Sequence, residues 1–137
     1  ESEKSWFNVG EFKKLKNYVG NIETSLPDNV SSDMEDLLLW YHNLTNITLE
    51  DIIEFHVKFL EIHPFQDGNG RVGRMIMFKE CLHNDIMPFY IEDRNKACYA
   101  RGLKEYQTKN YKGYLIDTCL NSQDNYTEMA KYFLEEN

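Results

Sequence analysis

Positive charge is scarce in this chain. Fifteen Lys and Arg stand against twenty-three Asp and Glu, giving a formal net charge of −8, and no unbroken basic run exceeds Lys13-Lys14. A protein that grips nucleic acid through its backbone charge needs a basic face, so that class is set aside. Long apolar runs are lacking too. No stretch approaches the 18 residues that a membrane-crossing helix requires, and no secretory leader is visible. Cysteine is limited to Cys81, Cys98 and Cys119. An odd, widely spaced set fits neither a disulfide framework nor a CxxC zinc site, and it predicts reduced thiols in a cytoplasmic setting. Internal repeats and low-complexity linkers are absent. Hydrophobic residues make up 42% and aromatic residues 14% of 137 positions, which is enough for one folded domain with one core, 1–137.

Helical periodicity dominates what is present. Ser32-Asp-Met-Glu35 reads as a capping box opening a helix over about 32–44, with Met34, Leu37, Leu38 and Tyr41 on its apolar stripe. Thr48 and Asp51 open another, running to about Ile62, on which Ile52, Ile53, His56, Phe59 and Leu60 share a face. His56 therefore reads as a packing histidine. Pro64 disfavours helix at His63 and ends that segment. Further helices are expected from about Gly70 to Asn84, then near 92–108, 111–121 and 123–135. Gly20-Asn21, flanked by Tyr18, Val19 and Ile22, predicts a two-residue hairpin turn. The fold class expected is all-α with one small β-hairpin.

One stretch stands apart: HPFQDGNGRVGR, residues 63–74. Gly68 and Gly70 permit a sharp turn and close approach of a ligand. They lead into a helix whose first N–H groups are unpaired and whose dipole is positive at that end, a cradle for phosphate. Arg71 and Arg74, three apart, share a helical face and offer two guanidinium forks. Lys is missing, so this is not the GxxxxGK[ST] loop. Asp67 beside phosphates would repel them unless a cation such as Mg²⁺ bridges the two. His63 sits in a bend four residues earlier, with an imidazole able to accept a proton near neutral pH. A base, a metal anchor and a polyphosphate holder are the parts needed to move a phosphorus group from a nucleotide to a hydroxyl. A metal pair of His63 and Asp67 on one helix is ruled against by Pro64 and Gly68, which break that helix.

This stretch resembles the signature of the Fic family, His-x-Phe-x-Asp/Glu-Gly-Asn-Gly-Arg-x-x-Arg, at every defining position. The VGN turn, the spacing from Pro27 to Trp40 and the Tyr99 region extend the resemblance over roughly 9–121. It implies a compact helical Fic core and protein adenylylation: transfer of AMP from ATP to a Ser, Thr or Tyr hydroxyl of a target protein, with release of pyrophosphate and scope for self-modification. It implies His63 as the general base, Phe65 as the structural anchor of the loop and Asp67 as the Mg²⁺ holder. Gly68, Asn69 and Gly70 would cradle the phosphates, Asn69 orienting the α-phosphate, and Arg71 and Arg74 would hold the outer phosphates. Lys in place of Gly70 would mark the branch that transfers a γ-phosphate. Residues 16–24, with Asn17, Tyr18, Val19 and Gly20 leading, resemble the family's flap, whose edge pairs with an extended segment of the target. Tyr99 and Gln107 fall on the adenosine side.

The family's inhibitory helix, Ser/Thr-x-x-x-Glu-Gly/Asn, finds no match. Ser31-x-x-x-Glu35 is followed by Asp36, and Glu136-Asn137 has Tyr132 in place of the hydroxyl residue. With the flap about sixteen residues from the start, no room is left upstream for such a helix. The expectation is that it is trimmed or supplied by a partner, leaving an uninhibited form. The alternatives are transfer of UMP or phosphocholine by the same site, and a regulatory nucleotide-binding or toxin–antitoxin module. The partners expected are ATP and a target protein, without nucleic acid or membrane; a homo-oligomer is compatible with the sequence.

Overall fold

The computed structural model describes residues 10–136. Two short strands and five helices follow in order: β1 Tyr18–Val19, β2 Ile22–Glu23, α1 Val30–His42, α2 Leu49–Ile62, α3 Asn69–His83, α4 Lys96–Lys109 and α5 Gly113–Glu136. The all-α class with a single hairpin is therefore observed among the described residues. No helix in them is long and apolar enough to cross a membrane. They form two compact units, one reaching to Ile47 and resuming over Glu54–Ile76, the other made of Thr48–Ile53 and the chain from Met77 onward.

The first unit holds the hairpin, α1, most of α2 and the glycine stretch. β1 and β2 are antiparallel, with Tyr18 opposite Glu23 and Val19 opposite Ile22. Gly20 turns the chain at φ 60°, the positive φ that a first central turn residue supplies in a type II′ hairpin. A 3-10 turn, Pro27–Asn29, runs straight into α1. Here the capping-box expectation fails. Pro27 presets a helical φ and starts the winding early, Val30 is fully buried, and Ser32 and Glu35 lie inside the helix. Asn29 occupies the cap position without a side-chain bond, and Ser25 Oγ donates to Asp33 Oδ2 at 2.6 Å instead. Rings link α1 to the glycine stretch. Tyr41 packs on Phe55 at 4.9 Å, Phe55 on Phe59 at 6.5 Å, Phe59 on Phe65 at 6.5 Å and Phe65 on Phe12 at 6.0 Å.

The second unit opens with the cap of α2. Thr48 N–H donates to Asp51 Oδ2 at 2.9 Å and Asp51 N–H donates to Thr48 Oγ1 at 3.3 Å, the reciprocal box that this pair predicts. Its core gathers Ile52, Ile53, Met77, Cys81, Phe89, Ile91, Tyr99, Leu103, Leu115 and Cys119, all buried. α4 and α5 cross where Gly102 faces Leu115, so closely that a Cβ on Gly102 would lie 2.8 Å from the Leu115 Cα. The two helices expected over 111–121 and 123–135 are one, α5. Ser122 Oγ donates back to Thr118 O at 2.9 Å, so its hydroxyl bonds within the helix rather than capping a new one. Of the Glu136-Asn137 ending, Glu136 closes α5 and Asn137 lies outside the described residues.

Candidate active site

The histidine is built by the end of α2. Its N–H donates to Phe59 O at 2.9 Å, closing the last helical turn, and its φ is +53°. Pro64 bars the right-handed conformation to the residue before it, and the left-handed region is where helices commonly stop. A non-glycine residue held there stores on the order of 1–3 kcal/mol of strain, a cost found mainly at functional positions. The ring then bends back on its own helix, with Nδ1 3.3 Å from Leu60 O. A carbonyl can only accept, so Nδ1 carries the proton and Nε2 keeps its lone pair. Burial holds the half-buried imidazole below its usual pKa. The Leu60 hydrogen bond and Asp67 raise it against that trend, and Lys13 lowers it further. His63 is thus a neutral base with a fixed tautomer.

Phe65 is half-buried between Phe12 and Phe59, an anchor in the ring series. Asn69, 2% exposed, spans the loop from the other side. Its Oδ1 accepts Phe65 N–H at 2.8 Å and its Nδ2 donates to Phe65 O at 2.7 Å. Asn69 is therefore a clamp that fixes where α3 begins relative to His63. Gly68 has φ +81°, open to glycine at no steric cost. Val72 N–H donates to Gly68 O at 3.0 Å, which leaves the N–H groups of the first turn of α3 directed out of the helix end.

Both arginines fold back toward this end. A Cβ on Gly68 would lie 3.5 Å from a terminal nitrogen of Arg71, and one on Gly70 would lie 3.0 Å from a terminal nitrogen of Arg74. The two glycines leave room for two guanidinium groups over the helix N-terminus, so positive charge and free N–H donors converge on one spot. Asp67 is exposed at the lip, its Oδ1 accepting Gly68 N–H at 2.8 Å. Among the described residues no three His, Cys, Asp or Glu side chains gather as a metal cage. A cation here would be held by one carboxylate and by oxygens of its ligand, the habit of Mg²⁺ with polyphosphates.

Of the remaining expected residues, Asn17, Tyr18, Val19 and Gly20 form the first half of the hairpin. Asn17 Nδ2 reaches Phe65 O at 2.9 Å, so the flap is tied to the glycine stretch. Tyr99 and Gln107 lie on α4 in the second unit; Tyr99 is 6% exposed and the Gln107 Nε2 is buried without a hydrogen-bond partner.

Sequence reasoning overlooks three features. His56 is fully buried, and the Gly73 backbone passes so close that a Cβ there would sit 3.2 Å from the ring. The packing role is as expected, but its contact with the Gly73 backbone, one residue before the second arginine, is not. Gln66 pairs with a neighbouring backbone, its Oε1 accepting N–H from Lys14 and Leu15 at 3.1 Å each. Lys13 is 4% exposed, where the sequence shows only the first of two adjacent lysines.

A family model described as Fic/DOC family matches residues 2–81. Among curated relatives, the protein adenylyltransferase fic-1 of Caenorhabditis elegans is 26% identical over 98 residues, spanning 69% of this chain and 19% of that protein. The protein adenylyltransferase Fic of Drosophila melanogaster is 30% identical over 98 residues, spanning 69% and 20%. The chain thus spans about a fifth of the relatives' length. The solved structure of Fic-1 from C. elegans superposes with a TM-score of 0.77 at 19% identity, covering 93% of this chain and 38% of the other. A Fic domain containing signaling protein from Bacteroides thetaiotaomicron gives 0.67 at 21% identity, covering 93% and 52%. The family match covers most of the chain, and its end falls beyond the His63–Arg74 loop whose geometry is described above: this chain belongs to the Fic/DOC family.

Proposed function

We propose that this chain transfers AMP from ATP to the hydroxyl of a Ser, Thr or Tyr side chain on a target protein. The observation that carries the reading is the fixed tautomer of His63, whose free Nε2 lies one short loop before a helix N-terminus flanked by Arg71 and Arg74. The names of the relatives, protein adenylyltransferase, support the group moved.

In this reading Nε2 takes the proton of the target hydroxyl as its oxygen bonds to the α-phosphorus. The bond from the α-phosphorus to the bridging oxygen breaks, and pyrophosphate leaves. Arg71, Arg74 and the N–H groups of the first turn of α3 bind the phosphate oxygens and offset charge that grows on the leaving group. Asn69 holds these donors in place through Phe65. Asp67, a hard oxygen ligand, fits Mg²⁺; bound there the ion would neutralise phosphate charge. The flap strand supplies an edge on which a target segment can lie extended.

Incubation of the chain with ATP and Mg²⁺, followed by intact mass, tests this. A gain of one adenylyl group that disappears in His63→Ala is expected. Nucleotide binding without any transfer, alone or with cell extract as the source of target, would make the chain a binding module. A panel of labelled donors separates AMP from UMP or phosphocholine transfer.

A further inference from the structure

Four consecutive backbone carbonyls begin at the last residue of α2, and residues 13–17 donate to all four. Lys13 Nζ reaches Ile62 O at 3.1 Å, Asn17 Nδ2 reaches His63 O at 3.4 Å, Lys13 N–H reaches Pro64 O at 2.8 Å, and Asn17 Nδ2 reaches Phe65 O at 2.9 Å. Gln66 continues the pairing with both ends of its amide, since its Nε2 also donates to Leu15 O at 3.3 Å. The centre of this seam is an ammonium. Lys13 Nζ directs its other hydrogens to Asn17 Oδ1 at 2.7 Å and Thr24 Oγ1 at 2.9 Å, and Thr24 Oγ1 lies 2.8 Å from Asn17 O. One side chain thereby grips both ends of the flap and the last carbonyl of α2.

A buried lysine is costly. None of the hydrogen-bond partners of Lys13 among the described residues is a carboxylate, and burial lowers its pKa. Three acceptors and the negative end of the α2 dipole offset that cost, but an apolar side chain would fill the space without incurring it. What only the ammonium can do is hold Asn17, Thr24 and Ile62 at one point. We infer that Lys13 is a positioning residue that sets the flap edge relative to His63, so that a segment laid on the flap presents its hydroxyl to Nε2. This rests on the proposed role of the flap. Phe65 O is the shared node, accepting both Asn17 from the flap and Asn69 from the phosphate cradle.

The test is Lys13→Met in the full chain, read by amide hydrogen exchange and by long-range ¹H–¹⁵N spectra of the His63 ring; neither uses nucleotide or target. With these charge-assisted hydrogen bonds lost, amides 13–15 and 63 should exchange at least about tenfold faster. The ring should change from one Nδ1-protonated tautomer to an exchanging pair. Thr24→Val, which removes one partner without changing shape, should move both readouts the same way by less, and it decides the matter if Lys13→Met does not fold. Unchanged exchange and tautomer would overturn the inference. So would loosening spread evenly into α4 and α5 with the His63 ring unaltered, which would make Lys13 a plain core support. Failure of the intact chain to transfer AMP would remove the adenylylation reading and leave these two readouts as they stand.

Discussion

Asn69 closes both ends of its amide on the backbone of Phe65, accepting its N–H at 2.8 Å and donating to its carbonyl at 2.7 Å. The loop between them carries Asp67 and Gly68, so this pair fixes the cradle's shape. Asn69→Leu would leave a buried N–H without a partner, while the carbonyl would keep Asn17. The expected loss is about 1–3 kcal/mol in urea unfolding, accompanied by weaker binding of Mg²⁺-ATP. Asn69→Asp keeps the acceptor but introduces a charge, and it should impair nucleotide binding more than stability. Equal affinity for nucleotide in both variants would show that the clamp does not shape the cradle.

His56 and Gly73 predict a pH dependence of folding. Burial pushes the His56 imidazole down to about 4, against a Gly73 backbone hydrogen bond that raises it and with the Arg74 charge lowering it further. The unfolded chain takes up a proton near the ordinary 6.5, so it binds more protons than the folded chain between about 6.5 and 4. Stability is therefore full above pH 6.5 and falls as pH drops through that window. The expected loss from His56 is about 3 kcal/mol, and His63, shifted the same way, adds to it. Urea midpoints measured from pH 7.5 to 4 should show the fall, and His56→Leu should flatten it. Gly73→Ala should cost about 1–3 kcal/mol through overpacking, because its Cβ meets the ring at 3.2 Å and Phe59 at 3.3 Å.

How far the sequence discloses the site follows from how local each device is. The turn from His63 into α3 is legible in residues 63–74 because glycine, asparagine and arginine must sit at fixed offsets to make it. The hairpin and the Thr48 cap are legible for the same reason. The start of α1 is not, because burial of Val30 after Pro27 outweighs the Ser32 signal. Neither is the continuity of α5, because Ser122 has two local choices of hydrogen bond and packing selects one. Lys13 is invisible for a different reason: the acceptors of its ammonium lie up to 49 positions away, and nothing in FKKLK distinguishes a buried lysine from a solvated one.

Gly102 and Leu115 set the approach of α4 and α5. A methyl on Gly102 would meet the Leu115 backbone, with Cα at 2.8 Å and N at 3.0 Å. Backbone cannot swing aside as a flexible side chain does, so Gly102→Ala should cost at the upper end of about 1–3 kcal/mol. The helix propensity of alanine would return only about 1 kcal/mol. Thermal unfolding of the variant should therefore show a clear loss. A neutral or stabilising outcome would mean that the two helices can separate freely at this crossing.

The last prediction concerns the base. In the proposed reaction transfer would need the neutral form of His63, and burial holds its pKa below the ordinary 6.5. For a general base, kcat/KM falls as pH falls through the pKa of the free enzyme. The acid limb of AMP transfer should lie below pH 6.5, and the rate should be flat from there through neutrality. Asp67→Asn removes a charge that raises the His63 pKa, so the ring's NMR titration midpoint should move lower still. Lys13→Met removes a charge that lowers it and should move that midpoint up. His63→Ala should lose about 10²–10⁴-fold in rate while Mg²⁺-ATP binding persists, because the cradle is held by Asn69, Arg71 and Arg74. An acid limb above pH 6.5, or residual transfer near the full rate in His63→Ala, would assign the proton to another group.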